Sequence, residues 1–218
     1  MSGITKLGGD IIDTCLRLSA AGYISGTWGN ISARLDDGNY LMTPSRVEYA
    51  DMRPEDLPVL SPGGERVSGE RIPTSERELH RGIMNARADI NAVIHTHSPY
   101  AMAAAALDEG VPALSEEMCQ LLGGCIPITP RFVPSEEHTG LGEAVTGALG
   151  GKNALLIRNH GIICCGRTLR EAELCCQIAE KSCMIYLTLL SSGRRFNTVD
   201  EPYAGMGRRY YLDKYGKS

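Results

Sequence analysis

Two short segments of alternating apolar and polar residues, 30–35 and 40–43, are separated by the sequence Asp36-Asp37-Gly38-Asn39. Alternation with a period of two is typical of a strand with one buried face, and Asp, Gly and Asn favour tight turns. The pattern therefore predicts a β-hairpin, which requires antiparallel pairing in the sheet that contains it. A second turn signal, Ser61-Pro62-Gly63-Gly64, continues the meander.

Helical and apolar segments alternate along the rest of the chain. Periodicity and capping residues predict helices over residues 4–21, about 75–87, 99–107 and 168–190, and strands over residues 92–95, 154–158 and 161–165. A turn-rich segment, 129–140, is a candidate mobile or interfacial loop, and a polar tail begins at Ser191. The fold class predicted is α/β, a layered domain with a mainly antiparallel sheet.

Composition excludes several classes of protein. A chain of 218 residues that is 43% hydrophobic can bury one substantial core, so a single domain is expected. The net charge of −4 provides no basic field for nucleic acid, and no apolar run is long enough to span a membrane. The first twenty residues show no secretory pattern. The eight cysteines include adjacent pairs and form no C-x-x-C, so we expect reduced, largely buried thiols and a cytoplasmic location.

Two histidines, His95 and His97, close the apolar segment 92–95. Side chains at positions i and i+2 of a strand project from the same face, which suits chelation of one metal ion, although a pair of hydrogen-bonded histidines explains the motif equally well. His160 favours the metal site, since it lies between two predicted strands beside Gly161, which allows close backbone approach. Of the other histidines, His80 is interpreted as a helix-surface or packing residue and His138 as a loop residue.

Pro73-Thr74-Ser75-Glu76 opens a predicted helix, and two interpretations hold there together. Ser75 and Glu78 have the spacing of a capping box, and an acidic residue is favourable at a helix start. The free N–H groups of the same helix start, with the hydroxyls of Thr74 and Ser75, also favour binding of an anion such as phosphate.

Two further segments offer anion donors. Gly29 and Asn30 present backbone and amide N–H groups, or form a simple turn. Ser45 and Arg46 offer a hydroxyl and a guanidinium, although most arginines are merely solvated. Motifs of serine hydrolases, zincin proteases, P-loop enzymes and dinucleotide oxidoreductases are absent from the sequence.

Six landmarks occur in order along the chain: residues 11–16 (IIDTCL), G-T-x-G-N-x-S over 26–32, Thr43-Pro44-Ser45, Pro73-Thr74-Ser75-Glu76, His95-x-His97 and His160-Gly161. With these landmarks the sequence resembles the class II aldolase/adducin family across nearly its whole length, and within it most closely the L-fuculose-phosphate aldolases. The resemblance implies one three-layer domain over residues 1–218, in which residues 191–218 form a C-terminal tail near the active site or an interface.

The resemblance also implies a metal-dependent lyase. A Zn²⁺ ion, or Mn²⁺ or Co²⁺, would be held by His95, His97 and His160, with Glu76 as a fourth ligand in the resting enzyme. When a ketose phosphate binds, Glu76 would leave the metal and act as the acid/base, protonating the enediolate that the ion stabilises. The implied reaction cleaves a deoxyketose 1-phosphate, such as L-fuculose 1-phosphate, to dihydroxyacetone phosphate and an aldehyde.

The family's phosphate pocket corresponds to six positions of this chain: Gly29, Asn30, Ser45, Arg46, Thr74 and Ser75. Arg46 departs from the family's glycine, and it either narrows the pocket or adds a charge to the phosphate. The tyrosine that fuculose-phosphate aldolases donate from a neighbouring subunit is also missing, and Glu116 lies near that position. A carboxylic acid could transfer the same proton, or Glu116 could be a solvated loop residue.

Other outcomes share the implied site. Within the family, the same histidines support a pentulose-5-phosphate 4-epimerase or a methylthioribulose-1-phosphate dehydratase. A non-catalytic interaction domain like that of adducin is a further alternative, but it need not retain four metal ligands. The resemblance implies a homotetramer acting on a small sugar phosphate, without nucleic-acid or membrane partners.

Overall fold

A computed structural model describes residues 3–215. Its centre is a seven-stranded sheet in the order β4-β3-β2-β1-β5-β7-β6, with every neighbouring pair antiparallel. The strands are β1 (Gly29–Arg34), β2 (Tyr40–Met42), β3 (Val59–Leu60), β4 (Arg66–Ser68), β5 (Ala92–Thr96), β6 (Ala154–Ile157) and β7 (Gly161–Gly166). The predicted hairpin is confirmed as β1–β2, in which Ser32 lies opposite Met42.

Six helices accompany the sheet in the described part of the chain: α1 (Gly3–Ala20), α2 (Arg77–Ala86), α3 (Pro99–Ala105), α4 (His138–Leu149), α5 (Leu169–Ser192) and α6 (Glu201–Asp213). Four of them were predicted, and the start of α5 is confirmed by Thr168, whose hydroxyl accepts a hydrogen bond from the N–H of Glu171. A π-helical turn, Met118–Leu122, lies between α3 and α4.

Helices α4 and α6 were not predicted. Helix α4 begins at His138, so the loop predicted over residues 129–140 ends earlier and His138 is not a loop residue. Glycines at positions 140, 142 and 147 weaken the helical signal of α4. One of them serves packing, because a Cβ atom on Gly142 would lie 3.1 Å from the main chain of Glu78 in α2. Helix α6 covers the π-helical turn, where Arg208 donates to the carbonyl of Gln120 at 2.9 Å.

Side chains alternate between the two faces of the sheet and produce two apolar cores. In β5, Ile94 joins the core beneath α1, α3 and α5, whereas Val93 joins the core beneath α2 and α4. In β7, Ile162 and Ile163 divide in the same way. The domain therefore has three layers, helices–sheet–helices, around a mainly antiparallel sheet, as predicted.

The face of the sheet toward α2 also carries polar residues. Asn30 and Ser32 alternate with the core residues Ile31 and Ala33 on β1, and Asn30 lies opposite His95 of β5. These polar side chains are buried, with Asn30 only 7% exposed and Ser32 fully covered. The sheet register thus places a polar stripe beneath the N-terminal half of α2.

All eight cysteines are free thiols within the described residues, and seven of them are buried. Burial raises the pKa of the Cys165 thiol to about 12, so it stays protonated at neutral pH. The expectation of largely buried thiols is confirmed. Across residues 3–215, no helix combines the length and the apolar character that crossing a membrane requires.

Candidate metal and substrate site

The three histidines of the predicted metal site lie together at one end of the sheet. His95 is the penultimate residue of β5, His97 directly follows that strand, and His160 lies in the turn between β6 and β7. Their ring centroids are 4.8 to 5.0 Å apart. The three side chains could hold one metal ion, since their ligand atoms lie within 4.8 Å of one another.

The tight turn between β6 and β7 brings His160 to the other two histidines. Asn159 has a φ of 53°, a left-handed conformation that Asn tolerates better than most residues. A Cβ atom on Gly161 would lie 2.6 Å from the carbonyl oxygen of Thr96 and 3.1 Å from the His95 ring. The glycine beside His160 therefore permits the close backbone approach that the sequence predicted.

The imidazoles are arranged as metal ligands. The Nδ1 atom of His95 donates to the carbonyl oxygen of Ile162 at 3.0 Å, which leaves the Nε2 lone pair directed at the cluster, 2.9 Å from Nε2 of His97. Burial lowers the pKa of His95, and it lowers the pKa of His97 to about 3. Both rings are therefore neutral near pH 7, which is the form that binds a metal.

Glu76 completes the cluster from the start of α2. Its Oε1 atom lies 3.2 Å from Nε2 of His160, and its Oε2 atom lies 3.4 Å from Nε2 of His95. Burial alone would raise the pKa of Glu76, but its contacts with His95 and His160 and the hydrogen bond from Asn30 hold it well below its usual range. The carboxylate is ionised.

The start of α2 differs from the predicted capping box. Glu76 itself occupies the N-cap position without a side-chain cap, and Glu78 forms an ion pair with Arg81 instead of returning to Ser75. Thr74 takes over part of the capping, because its hydroxyl accepts a hydrogen bond from the N–H of Glu76 at 3.3 Å. The carboxylate of Glu76 is therefore directed at the histidines.

The donor set fits a divalent cation. Three imidazoles and one carboxylate are the ligand types of catalytic zinc and of several other divalent ions. Among residues 3–215, the buried Oε1 atom of Glu76 has no hydrogen-bond partner of good geometry, which is costly for an ionised carboxylate unless a cation lies beside it.

A cleft of about 300 Å³ opens beside this cluster, within the size range of small-molecule sites. It is lined by all six residues that the resemblance implies for phosphate, together with Glu76, His97 and His160. Two loops form this part of the cleft and are joined to each other, because the Ser45 hydroxyl donates to the carbonyl of Pro73 at 3.0 Å and the N–H of Thr74 donates to the carbonyl of Thr43 at 3.1 Å. Hydrogen bonds between the two loops thus hold the hydroxyl-rich wall of the cleft in place.

The outer rim of the cleft is less tightly held. Arg46 is exposed and has a φ of 59°, in the region that favours glycine. Trp28 is 67% exposed, and its ring lies 5.7 Å from that of His97. Ser135, from the loop before α4, also lines the cleft. Sequence reasoning did not single out Trp28 or Ser135, because no motif marks a residue that joins a site only through folding.

Glu116 is not among the described residues that line this cleft. It is exposed next to the π-helical turn, where it accepts a hydrogen bond from Gln120 at 3.0 Å. Its neighbour Glu117 forms an ion pair with Lys181 of α5. Within a single chain, Glu116 is therefore separate from the histidines.

His80 contacts the site from behind. It is fully buried, with Nε2 2.5 Å from Oδ1 of Asn30 and Nδ1 2.6 Å from Oγ of Ser32. The Nδ2 atom of Asn30 in turn donates to Oε2 of Glu76 at 2.7 Å. Of the two interpretations from the sequence, the surface position is excluded and the packing position is right, with hydrogen bonds that the sequence did not predict.

Comparisons with known proteins agree with this geometry. Residues 9–187 match the model of the class II aldolase and adducin N-terminal domain. The chain is 32% identical over 186 residues to the L-fuculose phosphate aldolase of Escherichia coli, with 85% of each chain covered. It is 33% identical over 202 residues to a 5-deoxy-D-ribulose 1-phosphate aldolase of Bacillus thuringiensis, with 92% of each covered.

A third relative is the 5-methylthioribulose-1-phosphate/5-deoxyribulose-1-phosphate aldolase of Rhodospirillum rubrum, which is 36% identical over 164 residues, 74% of this chain and 72% of the relative. Among solved structures, an L-fuculose 1-phosphate aldolase superposes with a TM-score of 0.88 at 26% identity, covering 96% of this chain and 97% of that one. The family match, the shared fold and the cluster at the end of β5 lead to one conclusion: this chain belongs to the class II aldolase/adducin family, whose aldolases are lyases that use a divalent metal.

Proposed function

We propose that the protein is a zinc-dependent aldolase that cleaves a deoxyketose 1-phosphate to dihydroxyacetone phosphate and an aldehyde. One observation carries the proposal: three imidazoles and an ionised Glu76 meet at the inner end of a cleft whose wall is rich in hydroxyls. A ketose phosphate needs both parts, a cation for its oxygens and donors for its phosphate. L-fuculose 1-phosphate and 5-deoxypentulose 1-phosphates are the substrates named for the relatives and are the candidates here.

His95, His97 and His160 would hold the ion, with Glu76 as a fourth ligand in the absence of substrate. A divalent cation bound there supplies Lewis-acid stabilisation of the charge that develops on the ketose oxygens. Zn²⁺ suits three imidazoles and a carboxylate, and Mn²⁺ or Co²⁺ are the alternatives to test.

Glu76 would act as the acid/base at the carbon where the bond breaks. Its carboxylate is buried, ionised and hydrogen-bonded by Asn30 on one oxygen, while the other oxygen has no partner of good geometry. A base in this state takes a proton in the synthetic direction and returns it to the same carbon after cleavage.

The phosphate would bind at the loops that contain Gly29, Asn30, Ser45, Arg46, Thr74 and Ser75. The hydroxyls of Thr74 and Ser75 would donate to the anion, and the positive end of the α2 dipole would favour its charge. The N–H groups of Glu76, Arg77 and Leu79 already donate within the chain. The amide of Asn30 has two N–H bonds, so one remains for the anion while the other binds Glu76. Arg46 would contribute the positive charge that the rest of the wall lacks.

Glu116 would take the place of the missing tyrosine, protonating the aldehyde oxygen in the cleft of a second copy of the chain. Its exposure and its separation from the cleft of its own chain support action between copies. Mixing the inactive variants Glu76→Gln and Glu116→Gln, after dissociation and reassembly, should then restore activity, because a mixed assembly contains clefts with both carboxylates intact. Mixtures that stay inactive would remove Glu116 from the mechanism. The homotetramer and the cytoplasmic location remain predictions that sizing and fractionation would check.

The direct test is incubation of the zinc-loaded protein with a panel of ketose phosphates: L-fuculose 1-phosphate, L-rhamnulose 1-phosphate, 5-deoxyribulose 1-phosphate and 5-methylthioribulose 1-phosphate. We expect dihydroxyacetone phosphate from at least one, loss of activity on chelation, and recovery with Zn²⁺. Release of no dihydroxyacetone phosphate across the panel would refute the aldolase. Epimer formation with all carbon–carbon bonds intact, or loss of water, would show the epimerase or the dehydratase instead.

A further inference from the structure

We propose that Ser32 and His80 are positioning residues, which act through Asn30 to hold the carboxylate of Glu76 in one orientation. The inference rests on the proposed function for its kinetic consequences, but its structural part stands on the hydrogen bonds alone. The four side chains form one buried chain: Ser32 Oγ is 2.6 Å from His80 Nδ1, His80 Nε2 is 2.5 Å from Asn30 Oδ1, and Asn30 Nδ2 is 2.7 Å from Glu76 Oε2.

The direction of each hydrogen bond in this chain follows from the atoms that meet. The NH₂ group of Asn30 donates to Oε2 of Glu76, so its carbonyl oxygen faces Nε2 of His80. A carbonyl only accepts, so Nε2 of His80 carries a hydrogen. The order of donors and acceptors leaves no freedom at Asn30.

The tautomer of His80 then determines the direction of the hydrogen bond with Ser32. His80 is fully buried and its two ring nitrogens face a hydroxyl and an amide oxygen rather than a carboxylate, so the ring is neutral and carries one proton. With that proton on Nε2, Nδ1 is an acceptor and Ser32 must donate to it. The chain therefore runs in one direction, from the Ser32 hydroxyl through His80 and Asn30 to Glu76.

Without this chain, the amide of Asn30 could rotate by 180° and place its oxygen against Glu76. Two facing acceptors in a buried site repel each other, and Glu76 would lose its one well-formed side-chain hydrogen bond. Substitution of a residue that orients a metal ligand or an acid/base typically lowers metal affinity or activity by about 10- to 100-fold. Ser32 and His80 touch neither the cleft nor the histidine cluster, yet they determine which atom of Asn30 faces it.

The spectroscopic test uses the metal-free wild-type protein and needs no substrate. Long-range ¹⁵N–¹H correlation of the imidazole rings should show His80 neutral at pH 7, with the proton on Nε2. A proton on Nδ1 of His80, or a doubly protonated His80 ring at pH 7, would overturn the proposal.

Substitutions of His80 test whether the orientation of Asn30 affects catalysis and metal binding. Glutamine offers an N–H and a carbonyl oxygen in positions that mimic Nε2 and Nδ1, whereas leucine has similar volume and neither group. His80→Leu should lower kcat and the affinity for Zn²⁺ alone, measured by chelator competition, by about 10- to 100-fold, and His80→Gln should restore most of both. Equal losses in the two variants, or no loss in either, would refute the positioning role.

Ser32→Ala has a matched control in Ser182→Ala. Ser182 is also buried, but its hydroxyl binds only the carbonyl of Ile178 in α5, far along the chain from the cleft. Both variants should lose similar stability, and only Ser32→Ala should reduce Zn²⁺ affinity, by several-fold. If no ketose phosphate is cleaved, the aldolase proposal fails while the tautomer and Zn²⁺ measurements still decide on the positioning residues. If cleavage occurs but those measurements fail, only this inference is wrong.

Discussion

The inner end of the cleft and its outer rim are held in place in different ways. The inner end consists of the histidine cluster with Glu76, which the sheet register and internal hydrogen bonds position, and His95 there is fully buried. The rim consists of Trp28, Arg46 and Ser135, and Trp28 is 67% exposed. One chain therefore determines the geometry of the inner end. Under the proposed function, substrate or a second copy of the chain would complete the rim.

If the inner end and the rim differ in this way, a substitution at the inner end should reduce kcat more than any substitution at the rim. Glu76→Gln keeps the size of the side chain and one acceptor oxygen but removes the acid/base. We expect kcat to fall by about 10²- to 10⁴-fold, the usual contribution of a positioned acid or base. The measurement is initial-rate kinetics on the best substrate of the panel, with Ser182→Ala as the control. Retention of more than a tenth of the wild-type kcat would assign the proton transfer to another group.

Gly161→Ala tests the packing of the inner end without removing a ligand. The new Cβ atom would lie 2.6 Å from the carbonyl of Thr96 and 3.2 Å from the His97 ring, so β5 and the turn must separate. We expect Zn²⁺ affinity to fall at least tenfold and the free energy of unfolding to fall by about 1–3 kcal/mol, as for overpacked sites. Chelator competition and urea unfolding measure the two effects.

The matched control for that variant is Gly147→Ala in α4, where a Cβ atom would meet no other atom within 4 Å. Alanine there should raise the free energy of unfolding by about 0.5–1 kcal/mol, because glycine is the weaker helix former. If both substitutions change Zn²⁺ affinity equally, the close approach at Gly161 does not shape the cluster.

The inner end should also determine how acid affects the metal-free protein. Unfolded His80 has an ordinary pKa of 6.5, and burial lowers it to about 3 in the folded state. Between these values the unfolded chain binds the extra proton, so stability is lost as the pH falls through this window, by at most about 1.4 kcal/mol per pH unit for this residue. Between pH 7 and pH 4, the free energy of unfolding measured with urea should fall less steeply in His80→Gln than in the wild-type protein. Parallel curves for the two proteins would contradict a neutral, buried His80.

Local signals in the sequence were sufficient for much of the fold and for the cluster. The turn at residues 36–39, the apolar segment before His95 and the cap at Thr168 each depend on neighbours in the chain, and each was predicted correctly. The three histidines were also recognisable locally, since two close a strand and the third precedes Gly161. Helix α4 was missed because its stability comes from packing against α2, which its glycines permit and which no local pattern records.

Long-range contacts explain what the sequence could not predict at the site. Alternation along β1 predicts a strand with one polar face, but it does not reveal that α2 covers Asn30 and Ser32. The hydrogen bonds of His80 depend on that covering, so this histidine was interpreted only as a surface or packing residue. Ser135 likewise reaches the cleft from a distant loop. The buried polar chain behind Glu76 is thus a property of the tertiary structure.

The smallest effects should come from the rim, and Arg46→Gly tests it. If the guanidinium binds the phosphate, KM for the ketose phosphate should rise about two- to fivefold, because an exposed charge contact is worth up to about 1 kcal/mol. Arg46→Lys keeps the charge and should change KM less. Glycine also relieves the left-handed φ of 59°, partly offset by the greater freedom of the unfolded chain, so stability should change by about 1 kcal/mol or less. A KM that falls in Arg46→Gly would mean that this side chain narrows the cleft, and the phosphate would then depend on the hydroxyls and N–H groups of the inner wall alone.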